Sequence, residues 1–178
     1  MSQSAKSAPS SAALPIAHVA LRILIVVNWV FGAAVLTLLV AMPTRPWIMS
    51  ALGVPPSPDT DRLILGMQAI AAIGVAGVPL NYIVLKRLLA IVETVRAGDP
   101  FVAANALRLQ AIAWALLALQ VLSIVVGGIA RSVSTPAHPL KVDAGFSISG
   151  WLAVLLTFLL ARVFAEGTLM RDDLEGTV

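Results

Sequence analysis

Residues 17–41 read AHVALRILIVVNWVFGAAVLTLLVA, and Arg22, near one end, is their one formal charge. As a helix rising 1.5 Å per residue this stretch is about 37 Å long, enough to cross a hydrocarbon core of about 30 Å. It runs well past the 7 to 15 apolar residues of a secretory leader and follows a weakly basic start, so it reads as an uncleaved first span.

Three further stretches, 63–85, 109–130 and 146–164, have the same character, with Arg162 as their one charged residue. The four stretches take up about half of the 178 residues. With 59% hydrophobic residues, 12% charged ones and a mean hydropathy of +0.94, a water-soluble domain of this size could not bury its apolar surface. The expected fold is all-α, an integral membrane four-helix bundle in contact with the lipid bilayer. Residues 1–16, MSQSAKSAPSSAALPI, have the composition of a disordered tail. The membrane domain then spans 17–164, and 165–178 form an acidic tail.

Four spans put both termini on one side. Lys6, Arg22, Lys86, Arg87, Arg96, Arg108, Arg162 and Arg171 share that side, against Arg45, Arg62, Arg131 and Lys141 on the other. The positive-inside bias therefore makes both termini cytoplasmic in an inner membrane, with residues 42–62 and 131–145 facing outward. Trp47, Phe146 and Trp151 fall near the outer boundary, as an aromatic belt or as an outer sensing patch.

The connector LKRLLAIVETVRAGDPF continues a 3.6-residue period, with Leu85, Leu88, Leu89, Val92 and Val95 on one face. The second helix is thus predicted to reach about Ala97. Gly98 suits a left-handed helix end, Asp99 an N-cap, and Pro100 the first position of the next helix. Residues 86–108 then form a cytoplasmic hairpin projecting roughly 18 Å. Its apolar stripe packs the two arms together or docks a partner. The fourth helix is expected to continue to about Leu174, and the tail with Arg171, Asp172, Asp173 and Glu175 is a solvated end or a recognition element.

Charged groups at mid-span are the usual mark of ion or proton paths, and none is present; the polar residues at depth, Asn28, Gln68, Asn81, Gln120 and Thr157, are neutral. They serve as hydrogen bonds between helices or as a polar lining. Gly74 and Gly77 are the packing candidates in the second span, and Gly127 with Gly128 sit late in the third. Pro79 is expected to kink its helix and free a carbonyl near Val75, as a static kink or a hinge.

The chain has no cysteine, which removes disulfides, thiolate nucleophiles and Cys-ligated metals. His18 and His138 are expected about a membrane thickness apart, and no HExxH, GxSxG, P-loop or dinucleotide fingerprint occurs. No enzyme, cofactor or metal site is expected. The net charge of +3 is too small for a nucleic-acid footprint, so no direct nucleic-acid contact is expected either.

Two segments carry a resemblance: RLLAIVETVRAGDPFVAANALRLQAIAWALLALQ and the C-terminal VFAEGTLMRDDLEGTV. With four spans, the sequence Gly98-Asp99-Pro100-Phe101, then Asn105 and Arg108, and finally Phe164, Gly167, Leu169, Asp172, Asp173 and Gly176-Thr177-Val178, the chain resembles the bacterial inner-membrane family catalogued as domain of unknown function number twenty-nine seventy-five. It departs from that pattern at Leu174-Glu175-Gly176. The resemblance implies a membrane partner for a small Cro/CI-type helix-turn-helix regulator, since members are frequently encoded beside one.

The expected function is a non-enzymatic membrane sensor or anchor for such a regulator. The partner-binding candidates are Lys86, Arg87, Arg96, Asp99, Phe101, Asn105, Arg108, Arg171, Asp172, Asp173 and Glu175. A small-solute transporter or channel subunit, formed by a homo-oligomer, and an assembly subunit of a larger membrane complex are the alternatives.

Overall fold

In the computed structural model the described residues are 13–41, 58–134 and 142–175, the side chains of 58–60 and 172–175 excepted. They form four helices: α1 (Ala13–Ala41), α2 (Pro58–Arg96), α3 (Ala103–Val133) and α4 (Ile148–Glu175). Each contains a segment long and apolar enough to cross a membrane, and no strand occurs among the described residues. The expectations for residues 1–12, for the proline-rich segment with Trp47 and for His138 lie outside the described residues.

Two boundaries move outward from the expected ones. Helix α1 starts at Ala13, so the last residues of the expected tail, Ala13 to Ile16, are helical. Pro15 is compatible with this because a first-turn proline lacks only an N–H that has no intrahelical partner anyway. Helix α2 begins on Pro58, five residues before the apolar stretch, for the same reason.

The bundle is open. Helix α1 packs on α2, α2 on α3, and α3 on α4, and among the described residues α1 and α4 do not meet. Each interface is built on a glycine that lets the helices close up. A Cβ on Gly32 of α1 would come within 2.9 Å of both Val78 methyls of α2, and a Cβ on Gly66 of α2 within 2.7 Å of the Val133 methyls of α3. Gly150, in the first turn of α4, gives its side-chain space to the amide of Gln120 on α3. Gly74, expected as a packing residue, has nothing within 4 Å of where its Cβ would stand, and Gly77 faces Leu119 at an ordinary 3.7 Å. Packing is thus carried by other glycines than the clustered ones.

Aromatic pairs fill between the glycines. Trp29 of α1 lies 5.5 Å from Tyr82 of α2, and Trp114 of α3 meets Phe158 of α4 edge-on at 5.3 Å. The apolar core gathers Leu109 and Ile112 of α3 and Ala161 of α4, with Val84, Leu88 and Ile91 of α2 and Phe164 of α4 around them.

Pro79 stands inside α2 and offers no N–H to the carbonyl one turn back. The nearby side-chain donors serve the two carbonyls just before Pro79: Asn28 Nδ2 donates across the helix interface to the Val78 carbonyl at 3.1 Å, and Asn81 Nδ2 to the Gly77 carbonyl at 3.3 Å. Asn28 is therefore a hydrogen bond between helices, made to the residue before Pro79.

At the opposite end from the hairpin, α3 runs roughly 20 Å beyond Gln120 to Val133. The segment leading into α4 lies back along it instead of standing off outward. Ser123 Oγ accepts from the Gly145 N–H at 3.1 Å and donates to the Gly145 carbonyl at 3.2 Å. Gly145 has φ +136°, a conformation that favours glycine. Trp151 stacks on Phe146, and its indole Nε1 is buried.

This close approach depends on Gly127, where a Cβ would lie 2.6 Å from the Ala144 carbonyl oxygen and 2.8 Å from the Gly145 Cα. Its neighbour Gly128 has open space. Gly127→Ala is expected to cost about 1–3 kcal/mol through overpacking against backbone. Gly128→Ala is expected to be neutral or to stabilise by up to about 1 kcal/mol through helix propensity. Unfolding midpoints of the two variants in detergent micelles check this, and equal midpoints would refute the assignment of the contact to Gly127.

Candidate functional site

The end of the molecule where α2 turns into α3 collects most of the polar side chains that the sequence marks. Helix α2 closes on a Schellman motif: the Gly98 N–H donates to the Val95 carbonyl at 3.1 Å and the Asp99 N–H to the Thr94 carbonyl at 3.1 Å. The motif needs a left-handed residue, and Gly98 supplies it with φ +87°.

The next helix does not start on Asp99 and Pro100 as expected. Asp99 to Phe101 continue in extended or irregular backbone, Val102 is the N-cap in an extended conformation without a side-chain cap, and α3 begins at Ala103. The Asp99 N–H is already used by α2, so its side chain is released for another role.

Asn105, in the first turn of α3, organises the turn. It is fully buried. Its Nδ2 donates to Thr94 Oγ1 and to the Pro100 carbonyl, both at 2.8 Å, and its Oδ1 accepts from Arg108 Nη1 at 2.7 Å. Thr94 in turn donates to the Ile91 carbonyl at 2.8 Å, and Arg108 Nη1 also reaches the Ala90 carbonyl at 3.1 Å. One amide thus ties together the end of α2, the turn and the start of α3, with both its donor hydrogens and its oxygen engaged.

Helix α4 is fastened to the same turn. Phe101 stacks on Phe164 with ring centroids 5.4 Å apart, and Gly167 leaves room for the Phe101 ring at 3.7 Å. Asp99 accepts a charge-assisted hydrogen bond from Arg171 in the last turns of α4. Helix α1 reaches this end through His18, whose mostly buried Nδ1 lies 4.0 Å from Glu93.

The expected partner-binding residues therefore divide. Asn105 is a correction: with no exposed surface it cannot touch a partner, and its polarity is spent on the turn. Arg108 is half-buried in the same network, and Asp99 and Arg171 pair with each other. Phe101 keeps half its surface exposed beside Phe164. Lys86, Arg87 and Arg96 are exposed, with Lys86 Nζ 5.6 Å from the Tyr82 ring centroid. Asp172, Asp173 and Glu175 belong to the last turn of α4, and their side chains lie outside the described residues. Gln68 is half-buried on α2. Sequence reasoning missed Thr94, the hydroxyl on which Asn105 leans; its spacing of eleven residues across the turn was the available signal.

The two kinds of contact differ in weight. Asn105→Ala leaves buried partners unpaired and is expected to lower stability by about 1–3 kcal/mol. Asp99→Ala removes a half-exposed ion pair and is expected to cost less than about 1 kcal/mol. Chemical unfolding of both variants in the same micelle checks the order, and a larger loss for Asp99→Ala would overturn it.

A protein-family model described as a protein of unknown function (DUF2975) matches residues 37–178, which takes in the end of α1 and all of α2, α3 and α4. No curated protein and no solved structure gives a significant match. The matched span covers most of the chain, including both segments that carry the turn and its fastening to α4, and the chain belongs to the DUF2975 family of membrane-spanning helical proteins.

Proposed function

We propose that this chain is a non-enzymatic bacterial inner-membrane protein, both termini cytoplasmic, that anchors or senses on behalf of a small helix-turn-helix transcription regulator docking on the α2–α3 turn. The observation that carries the reading is the build of that turn. Its polar interior is closed around Asn105 and its side is fastened by Asp99 to Arg171, while Arg96 and Arg87 stand exposed on the α2 arm.

A turn presenting exposed cations suits a soluble partner with an acidic patch, because complementary charge speeds encounter and fixes register. The choice of a helix-turn-helix partner comes from the resemblance of the two end segments. The absence of catalytic motifs from the sequence supports a role without chemistry of its own.

Orientation is tested first. The chain has no cysteine, so a single Arg96→Cys variant reports without background. It is expected to react with an impermeant maleimide in inside-out vesicles and not in intact spheroplasts, and the reverse pattern would sink the reading.

A photo-crosslinking residue at position 96 in cells is then expected to trap a small DNA-binding protein, identified by mass spectrometry. Adducts consisting only of lipid or of a second copy of the chain would reject the docking role.

A further inference from the structure

Outside the turn, a groove with polar members lies between α3 and α4, with a volume of about 300 Å³. Its floor is made of small side chains, Ala106 on α3 and Ala161 and Ala165 on α4, and Leu107 and Phe158 supply apolar walls. Gln110 and Arg162 are its polar members.

Arg162 is unusual in place and in partner. Ala161 beside it belongs to the same core cluster as Leu109, so Arg162 sits about level with Arg108, whose guanidinium reaches the Ala90 carbonyl on α2. One turn from Ala90 toward the middle of α2 stand Lys86 and Arg87. That ring of cations marks the depth at which long basic side chains reach the headgroups from an apolar helix.

Glu166 holds the Arg162 guanidinium by one edge, accepting from Nε at 2.8 Å. A guanidinium has a second donor edge formed by its two Nη groups, a fork that matches phosphate in a bidentate way. The side chain remains 76% exposed, so this edge is accessible from the groove mouth.

We infer that the α3–α4 groove is a binding site for an anionic phospholipid, with the headgroup phosphate on Arg162, Gln110 beside it, and the start of an acyl chain over Ala161, Ala106 and Phe158. The Nη edge that Arg162 leaves open beside its Glu166 pair and the apolar groove lining select this occupant together. A free anion has no use for the floor, and a zwitterionic lipid carries an ammonium that a site centred on arginine does not favour. Basic grooves between helices at the headgroup level are the sort of place where anionic lipid is retained.

The test is native mass spectrometry of the full chain released from micelles containing equal amounts of phosphatidylglycerol and phosphatidylethanolamine. Wild type is expected to retain phosphatidylglycerol in preference. Arg162→Gln is expected to reduce that preference about tenfold, the scale of losing a charge-assisted hydrogen bond. Arg162→Lys keeps the charge without the fork and is expected to fall between them, which gives a reading even where the glutamine variant fails to fold. Arg62→Gln, exposed at the opposite end of α2, is expected to retain the lipid like wild type. Equal retention of both lipids, an unchanged Arg162→Gln, or displacement of the lipid by inorganic phosphate at the same concentration would overturn the site. So would a lipid-free dimer as the species that survives release.

Discussion

Lipid tails are as apolar as leucine, so helices in a bilayer gain almost nothing by hiding apolar side chains from their surroundings. Association then rests on how closely two backbones can approach and on the few polar groups that have no better partner. In this molecule each helix interface has a glycine at a close contact: Gly32 against Val78, Gly66 against Val133, and Gly150 against Gln120. The polar part is equally sparse. Asn28 donates to a backbone carbonyl beside Pro79, where α2 lacks one of its own hydrogen bonds. The open arrangement follows, because α1 needs only the one face around Gly32 to hold on and leaves the rest to lipid.

The α2–α3 turn obeys different rules, since it stands where water is available and a bundle end would otherwise fray. There the structure places a fully buried amide and satisfies it completely. Asn105 joins three pieces of chain that a leucine at the same position would merely fill, because its donors select the Pro100 carbonyl and the Thr94 hydroxyl and its oxygen fixes Arg108. A half-satisfied network of this kind would be worse than an apolar plug; a complete one gives the turn a single shape. The cations at the edge of the turn are thereby carried on a defined surface.

The four spans, the end of α2 near Ala97 and the left-handed Gly98 were legible because each has a local cause: length and hydropathy for the spans, the missing Cβ for the glycine. The packing glycines were not. A helix that is apolar all round has no polar face to reveal which side is inward, so the sequence could not separate Gly127, which packs, from Gly128, or Gly66 from Gly74, and it did not single out Gly32. Asn105 was read as a surface residue for a related reason. A polar side chain in a charged connector looks exposed until its partners are known, and those partners, Thr94 and Pro100, lie across a turn whose length was misjudged. Asp99 is the clearest case: its type suits an N-cap, but its N–H closes the preceding helix and its carboxylate faces Arg171, seventy-two residues away in sequence.

That long-range pair bears on how membrane and turn are connected. Helix α4 is an edge element, held on one side by α3 and open to lipid on the other. Its ties to the turn, the Phe164 ring on Phe101 and Arg171 on Asp99, lie about two turns apart on the same helix. A slide of α4 by one turn along its axis displaces these groups by about 5.4 Å, more than either contact tolerates. The Asn105 network contains no residue of α4. The turn is therefore closed by α2 and α3 alone, and α4 is joined to it by a ring contact and an ion pair.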